Sequence, residues 1–355
     1  MKINPIKIKT PKGWRLIGPG QPVFIVAEMS GNHNQDINRA YKIINAAAKI
    51  GADAIKLQTY TPDTLTIDCD NKYFQIGVNK AWRGQTLYSL YQKAYTPWDW
   101  QPKLKKYGEQ KGLVVFSTPF DKTAVDFLEK IEVKLYKVAS FEVGDVDLLE
   151  RIGQTKKPVI ISRGMASLNE IKLAVKILKK AGASQVAVLH CVSSYPALPE
   201  QMNLATIPDI TKKFKVISGL SDHTLGTTIS LASVGLGACI IEKHFTLKRS
   251  DGGPDAAFSL EPQEMKQLVE GIREVEKAIG RPTYKIDKKE SENMIFRRSL
   301  FAVNDIKKGE KLTCQNVRCI RPGYGLAPKY LKKIIGKKTA KDIKRGTPIK
   351  FKLIK

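Results

Sequence analysis

From Val23 to Ile279 the chain alternates between short apolar runs and longer stretches whose apolar residues recur every three or four positions. The short runs are Val23–Ala27 (VFIVA), Ala54–Leu57, Val114–Phe116, Leu135–Val138, Val159–Ile161, Val186–His190, Val216–Leu220 and Ala238–Ile241. They read as strands. Ile37–Ile50, Thr123–Ile131, Leu168–Ala181, Leu225–Gly237 and Glu264–Ile279 read as the helices that separate and follow them. About eight strand–helix units in roughly 260 residues is the size of an α/β fold, the (β/α)8 TIM barrel.

Two segments break that rhythm. Thr59–Lys111 is a long connection after the second strand, and its part Trp82–Trp100 (WRGQTLYSLYQKAYTPWDW) holds three of the four tryptophans. Loops of this length at a barrel mouth are usually functional. Their aromatics suit stacking on the apolar face of a sugar ring; in a second reading Leu87, Leu90, Tyr91 and the tryptophans pack a lid helix onto the barrel. Past the last helix, residues 281–296 are polar and rich in lysine and glutamate, as a linker is. Residues 297–355 then change to short alternating stretches broken by turns such as KKGE and KRGT. The expected organisation is a barrel domain over 1–280, a linker over 281–296 and a small β-rich domain over 297–355.

Polar residues collect at the C-terminal ends of the apolar runs, where barrels of this kind place their active sites. A serine or threonine there caps the following helix as readily as it binds a ligand. Capping does not account for Glu28, Lys56, Lys137, Glu142, His223, Glu242, Lys243 and His244. His223 and His244 end successive strands, and a right-handed crossover sets such ends side by side. Two imidazoles there can share a divalent metal, with carboxylate, water or substrate completing the shell; the alternative is two unrelated strand-end histidines. Lys56 and Lys137 lie inside apolar runs, where strand alternation can turn them inward. An interior ammonium requires an anion, either a substrate phosphate or carboxylate or a pairing with Glu28 or Glu142.

The charge balance adds one question. Lys+Arg number 60 against 34 Asp+Glu, a net charge of +26, which raises nucleic-acid binding. The basic residues are mostly lysines spread along helices and the C-terminal tail, with no nucleic-acid motif, so no nucleic-acid partner is expected. A positive field also collects small anions. No run of about eighteen apolar residues is present, and MKINPIKIKTPKGWRLIG lacks the apolar core of a signal peptide. The five cysteines are scattered, without a CxxC pair. The expectation is a cytoplasmic protein with no membrane partner.

Ten motifs in order, AEMSGNHNQD, KLQTYTPD, STPFD, YKVASFE, ISRGMAS, HCVSSYP, GLSDHTLG, IEKHFTL, GPDAAFSLEP and RRSLFAV…IRPGYGLAP, span the chain. Through them it resembles the sialic acid synthase family over essentially its whole length. The resemblance implies a TIM barrel joined to a C-terminal antifreeze-like (SAF) domain. It implies condensation of phosphoenolpyruvate with a free 2-acetamido sugar aldehyde and water, giving a nine-carbon 2-keto acid and phosphate. It assigns a metal, Mn2+ or Mg2+, to His223 and His244, and phosphoenolpyruvate to Lys56, Thr118, Lys137, Ser140, Ser162 and Ser221. Ser193 would join them, at a position where the family often has asparagine. Glu28, Tyr195 and Asp255 match positions that hold the sugar, with Phe296 beside it, and Glu142 or Glu28 would be the base. Arg321 matches an arginine that the SAF domain of one subunit inserts over the other's site, which implies a domain-swapped homodimer.

Within the family, the loop QTLYSLYQKAYTPWDW, KLQTYTPD and DGGPDAAFSLEP resemble the pseudaminic acid branch. Its sugar is 2,4-diacetamido-2,4,6-trideoxy-L-altrose, whose methyl and second acetamido group suit an apolar, aromatic-lined pocket, and Trp82–Trp100 is the candidate wall. N-acetylneuraminate and legionaminic acid synthesis are the alternatives with the same chemistry. A Schiff-base aldolase using Lys56 or Lys137 would leave the paired histidines without a role. A sugar- or nucleic-acid-binding protein would leave the whole polar ring unexplained.

Overall fold

The computed structural model of the chain describes residues 3–77 and 82–355, in two units, Met1–Gly280 and Arg281–Lys355. In the first, β3 (Phe24–Glu28), β4 (Ala54–Thr59), β5 (Val114–Pro119), β6 (Tyr136–Val138), β7 (Val159–Ser162), β8 (Val186–Cys191), β9 (Ile217–Asp222) and β10 (Ile240–His244) close into a barrel. Neighbours follow chain order, β10 pairs with β3, and every pairing is parallel. This is the (β/α)8 barrel that the pattern predicts. Helix α1 (Ile37–Lys49) follows β3, and α2 (Pro62–Leu65), α3 (Leu87–Ala94) and α4 (Gln101–Gln110) follow β4. The later strands are each followed by one helix: α5 (Lys122–Lys130), α6 (Val146–Gln154), α7 (Leu168–Ala181), α8 (Thr206–Phe214), α9 (Thr228–Gly235) and α10 (Pro262–Ile279). Asp36, Asp121 and Asp145 cap α1, α5 and α6, and Ser167 with Glu170 forms a capping box on α7. Each such cap is worth about 0.5–2 kcal/mol.

Strand alternation sets which residues face inward. Phe24, Val26, Ala54, Phe116, Leu135, Ile160, Leu189, Ile217 and Ile240 form one apolar cluster inside the barrel. Two or four positions further along the same strand faces come Glu28, Lys56, Lys137, Ser162, Cys191, Ser221, Glu242 and His244. The apolar plug and the polar ring are therefore two layers of one interior. The residues of opposite parity, such as Ile25, Ile55, Val115 and Ile241, pack outward against the helices. Gly219 in β9 permits close strand approach, since a Cβ there would lie 2.3 Å from the Ile240 carbonyl oxygen.

The segment before the barrel, an extended lead by sequence, is a hairpin of β1 (Ile6–Thr10) and β2 (Gly13–Ile17), paired antiparallel. Ile6, Ile8 and Ile17 are buried in the same cluster as the first residues of β3, β9 and β10. The hairpin closes the N-terminal end of the barrel.

The second unit carries β11 (Ser299–Ala302) and β12 (Val317–Ile320), antiparallel, around a core that includes Leu300, Ile306, Leu312, Val317, Ile343 and Ile349. Two short helices belong to it, α11 (Lys288–Glu292) and α12 (Leu331–Ile334). Within the span that reads as a linker, α11 is capped by Asp287 and continues into a 3-10 turn, Asn293–Phe296. Among the described residues no helix is long and apolar enough to cross a membrane.

One outward-facing pair stands out because it is charged. Lys243 Nζ lies 2.8 Å from Asp222 Oδ2, and both side chains are fully buried between β9, β10 and α9. Thr224 and Ser230 also donate to the Asp222 carboxylate, and Lys243 donates to the Thr224 carbonyl. The pair adjoins His223 and His244 in sequence and so fixes the strand ends that carry them. Lys243→Met leaves the carboxylate without its cation, which costs about 3–5 kcal/mol. The expected reading is a lower urea midpoint at unchanged m, partly recovered by Asp222→Asn in the same chain; an unchanged midpoint would show that the pair contributes nothing.

Candidate active site

A cavity of about 920 Å3 opens at the C-terminal ends of the barrel strands. Its floor is the polar ring. Lys56 Nζ stands 2.8 Å from Glu28 Oε2 and 3.7 Å from Glu242 Oε1, and it donates to Thr118 Oγ1 at 3.1 Å. Lys137 Nζ is 3.5 Å from the same Glu242 oxygen. Both lysines face inward as the alternation predicts, but their shared partner is Glu242 rather than Glu142. Burial opposes the charge of Lys56, yet Glu242 and Glu28 overcome it and raise its pKa. For Lys137 burial wins and the pKa falls. Burial also opposes the Glu242 carboxylate, but Lys137, Lys56 and His223 hold it below its ordinary range. Lys137 is thus left with one long contact and an incompletely compensated charge.

Hydroxyl groups surround that charge. Ser140 and Ser193 Oγ are 2.8 Å apart, Ser221 donates to Glu242 at 3.2 Å, and the buried Ser162 Oγ has no partner among the described residues. Gly164, at φ +43°, makes room for this cradle, since a Cβ there would lie 2.2 Å from Ser140 Cβ and 2.6 Å from Ser193 Oγ. Two lysines and four serines around one space suit a small, multiply charged anion.

The histidines stand at the adjoining side. The rings of His223 and His244 are 5.4 Å apart, with Tyr195 4.3 Å from His223 and Phe258 5.0 Å from His244. The Val192 carbonyl oxygen sits 2.9 Å from His223 Nδ1, which places the proton on Nδ1 and leaves Nε2 able to accept a ligand. Burial, then the neighbouring His223, pushes the His244 pKa well down, so this imidazole is neutral. Its Nδ1 is buried with no partner. Among the described residues no group of three or more His, Cys, Asp or Glu side chains is arranged to hold a metal. The two imidazoles fit a cation that takes its remaining ligands from water or substrate, as an open, catalytic site requires.

Two carboxyl groups complete the ring. Burial pushes Glu28 up to about 7 against the pull of Lys56, and Gln58 donates to its Oε1 at 3.0 Å. Burial likewise pushes Glu142 up to about 7, and its Oε2 has no partner among the described residues. Asp255 accepts from Ser30, which also accepts from Gln58 at 3.0 Å.

The structure brings together Glu28, Lys56, Lys137, Ser140, Glu142, Ser162, Ser193, Tyr195, Ser221, His223, His244 and Asp255 around one cavity. Thr118 lies behind Lys56 and does not line it. Phe296 and Arg321 belong to the second unit, where both are exposed. Gln58 and Glu242 line the cavity without having been singled out by sequence as ligand-binding residues. Parity is the signal that finds them, since Gln58 shares a face with Lys56, and Glu242 with His244. Of the tryptophans in 82–100, only Trp82 reaches the cavity, with its Nε1 donating to Pro254. Trp98 packs on Phe127 and donates to the Tyr60 carbonyl, and Trp100 packs edge-on against His33.

Residues 43–284 match the NeuB family and residues 297–355 the SAF domain. Pseudaminic acid synthase of Campylobacter jejuni is 42% identical over 92% of this chain and 95% of its own length. Pseudaminic acid synthase of Helicobacter pylori is 41% identical over 93% of this chain and 97% of its own. Among solved structures, the N-acetylneuraminic acid synthetase of Leptospira borgpetersenii, in complex with citrate, superposes with a TM-score of 0.71 at 34% identity, covering 83% of this chain and 97% of its own. With a family model matched over residues 43–284 and relatives 41–42% identical over more than nine-tenths of its length, the chain belongs to the NeuB family.

Proposed function

We propose that the protein condenses phosphoenolpyruvate with 2,4-diacetamido-2,4,6-trideoxy-L-altrose and water, forming pseudaminic acid and phosphate. The observation that carries this reading is the juxtaposition of an anion cradle with a pair of histidines in one cavity. Lys137, Lys56 and the serine hydroxyls receive the phosphate and carboxylate of phosphoenolpyruvate, and the anion supplies the charge that Lys137 lacks. Tyr195, Asp255 and Glu28 orient the open-chain sugar so that its C1 aldehyde faces C3 of phosphoenolpyruvate. His223 and His244 would hold a divalent cation, Mn2+ or Mg2+, which would supply Lewis-acid polarisation of that aldehyde.

The C2=C3 double bond supplies the electron pair for the bond between C3 and C1. The aldehyde oxygen becomes a hydroxyl with a proton that balances the one water releases, and the positive charge left at C2 is met by that water. Glu142 takes the water proton. Glu142 Oε2 has no partner among the described residues, whereas Glu28 is ion-paired with Lys56 at 2.8 Å and accepts from Gln58 at Oε1, which favours Glu142. The C2–O bond to phosphorus-bearing oxygen then breaks, the ketone forms, and the lysines and serines hold the departing phosphate.

The same reading extends to the assembly. The protein acts in the cytoplasm as a homodimer of chains divided into a barrel domain (1–280), a linker (281–296) and an SAF domain (297–355). Arg321, exposed on the loop after β12 and without a carboxylate partner among the described residues, closes the site of the other subunit.

Purified protein with phosphoenolpyruvate, Mn2+ and the trideoxy sugar releases phosphate stoichiometrically with a nine-carbon keto acid; chelation stops turnover. His223→Ala and His244→Ala each lower kcat at least about 100-fold with an unchanged melting temperature. Turnover that survives chelation would exclude the metal role.

A general base acts only when deprotonated, so a Glu142 pKa raised to about 7 makes kcat rise with pH through that value and level off above it. Glu142→Gln removes this limb and lowers kcat by about 10²–10⁴. An unchanged limb in that variant would move the assignment to another group.

Mixing Arg321→Ala with Glu142→Gln, each inactive alone, restores about a quarter of wild-type turnover, because half of the dimers are mixed and hold one intact site of two. No recovery after subunit exchange would show that Arg321 does not act across subunits.

A further inference from the structure

The condensation chemistry uses the polar floor of the cavity and leaves its apolar wall without a role. That wall is α3. Leu87, Leu90, Tyr91 and Ala94, spaced at i, i+3, i+4 and i+7, all line the cavity. Among the described residues none of the four belongs to the apolar cores inside the barrel or between its strands and helices. A helix that buries its apolar stripe against core neighbours needs no ligand. Here the stripe faces the space where substrate binds, and Ile76 extends it.

The helix is held in place from the strands that carry the chemistry. Gln35, in the loop after β3, donates to the Lys93 and Tyr95 carbonyls at 3.2 and 2.6 Å, at the C-terminal end of α3. His33, in the same loop, bonds Thr96 at 3.1 Å, and Gly31 lets Ala94 approach so closely that a Cβ would stand 3.0 Å from its Cα. The wall therefore has a fixed distance from Glu28 at the end of β3.

We infer that α3 selects the acceptor: Leu87, Leu90 and Ala94 receive the deoxygenated, N-acylated side of the sugar and discriminate against acceptors that place hydroxyl groups there. This rests on the condensation proposed above and adds which residues choose the sugar. A hydroxyl pressed on this wall gives up water without gaining a partner, whereas a methyl or acetamido methyl group is buried favourably. An apolar site of this kind discriminates by about 10- to 200-fold.

The test compares 2,4-diacetamido-2,4,6-trideoxy-L-altrose with N-acetylmannosamine in the full-length protein with phosphoenolpyruvate and Mn2+. Wild type should favour the trideoxy sugar in kcat/KM. Leu90→Gln should lower kcat/KM for that sugar by about 10- to 100-fold and narrow the ratio, with the KM for phosphoenolpyruvate within about twofold of wild type. Leu90→Met should keep the preference. Leu87→Asn, at a half-buried position, should narrow the ratio likewise and serves if Leu90→Gln does not fold. Equal wild-type efficiency on both sugars, or a ratio unmoved in the folded variants, would overturn the selector while leaving the condensation intact. Absence of phosphate release from either sugar would instead sink the condensation, and the selector with it.

Discussion

Two ammonium groups buried in one barrel repel each other and lose their hydration, so neither keeps its charge unless a carboxylate stands between them. Glu242 is that carboxylate, 3.7 Å from Lys56 and 3.5 Å from Lys137. From it a chain of polar contacts runs through Lys56, Glu28, Gln58 and Ser30 to Asp255. The lysine–serine cradle and the Asp255 side of the cavity thus belong to one network. A change of charge at either end alters the environment of the groups in between.

The alternation that buries this network also protects the fold from it. Within IIEKH, Glu242 and His244 face the cavity while Lys243 faces out to Asp222. Within SDH, Ser221 and His223 face in while Asp222 faces out. Adjacent positions serve chemistry and cohesion separately, although all of these side chains are buried. A charged residue in a barrel strand is thus no evidence of catalysis until its parity is known.

Much of this was legible before any coordinates. Strands buried on both faces leave short, uniformly apolar runs such as VFIVA, and polar residues placed just beyond them mark the catalytic end. The hairpin at Ile6–Ile17 was less legible because IKIKTPKGWRLI mixes lysines with its three inward isoleucines. Glu242 stood level with Lys243 as a candidate, since EKH displays two charges in succession and only counting from Ile240 separates the inner from the outer. Thr118 stands at a strand end like the serines that line the cavity, yet Lys56 lies over it, and no one-dimensional pattern records such a covering. The stripe of α3 has helical spacing in the sequence, but spacing does not reveal whether it faces a core or a cavity. The aromatic residues between 82 and 100 drew attention to the right segment, while its leucines and alanine supply most of the wall.

The isoleucine hairpin beneath the barrel has a consequence for traffic. With Ile6, Ile8 and Ile17 packed under the strand starts, the lower end of the barrel is shut, and the door lies at the C-terminal ends of the strands. The anion cradle lies on the strands, and the α3 wall stands in the excursion beyond their ends, nearer to that door. Whatever occupies the inner berth must enter ahead of whatever occupies the outer one. A sugar already seated against α3 would bar the way in, so the architecture favours a queue over random entry.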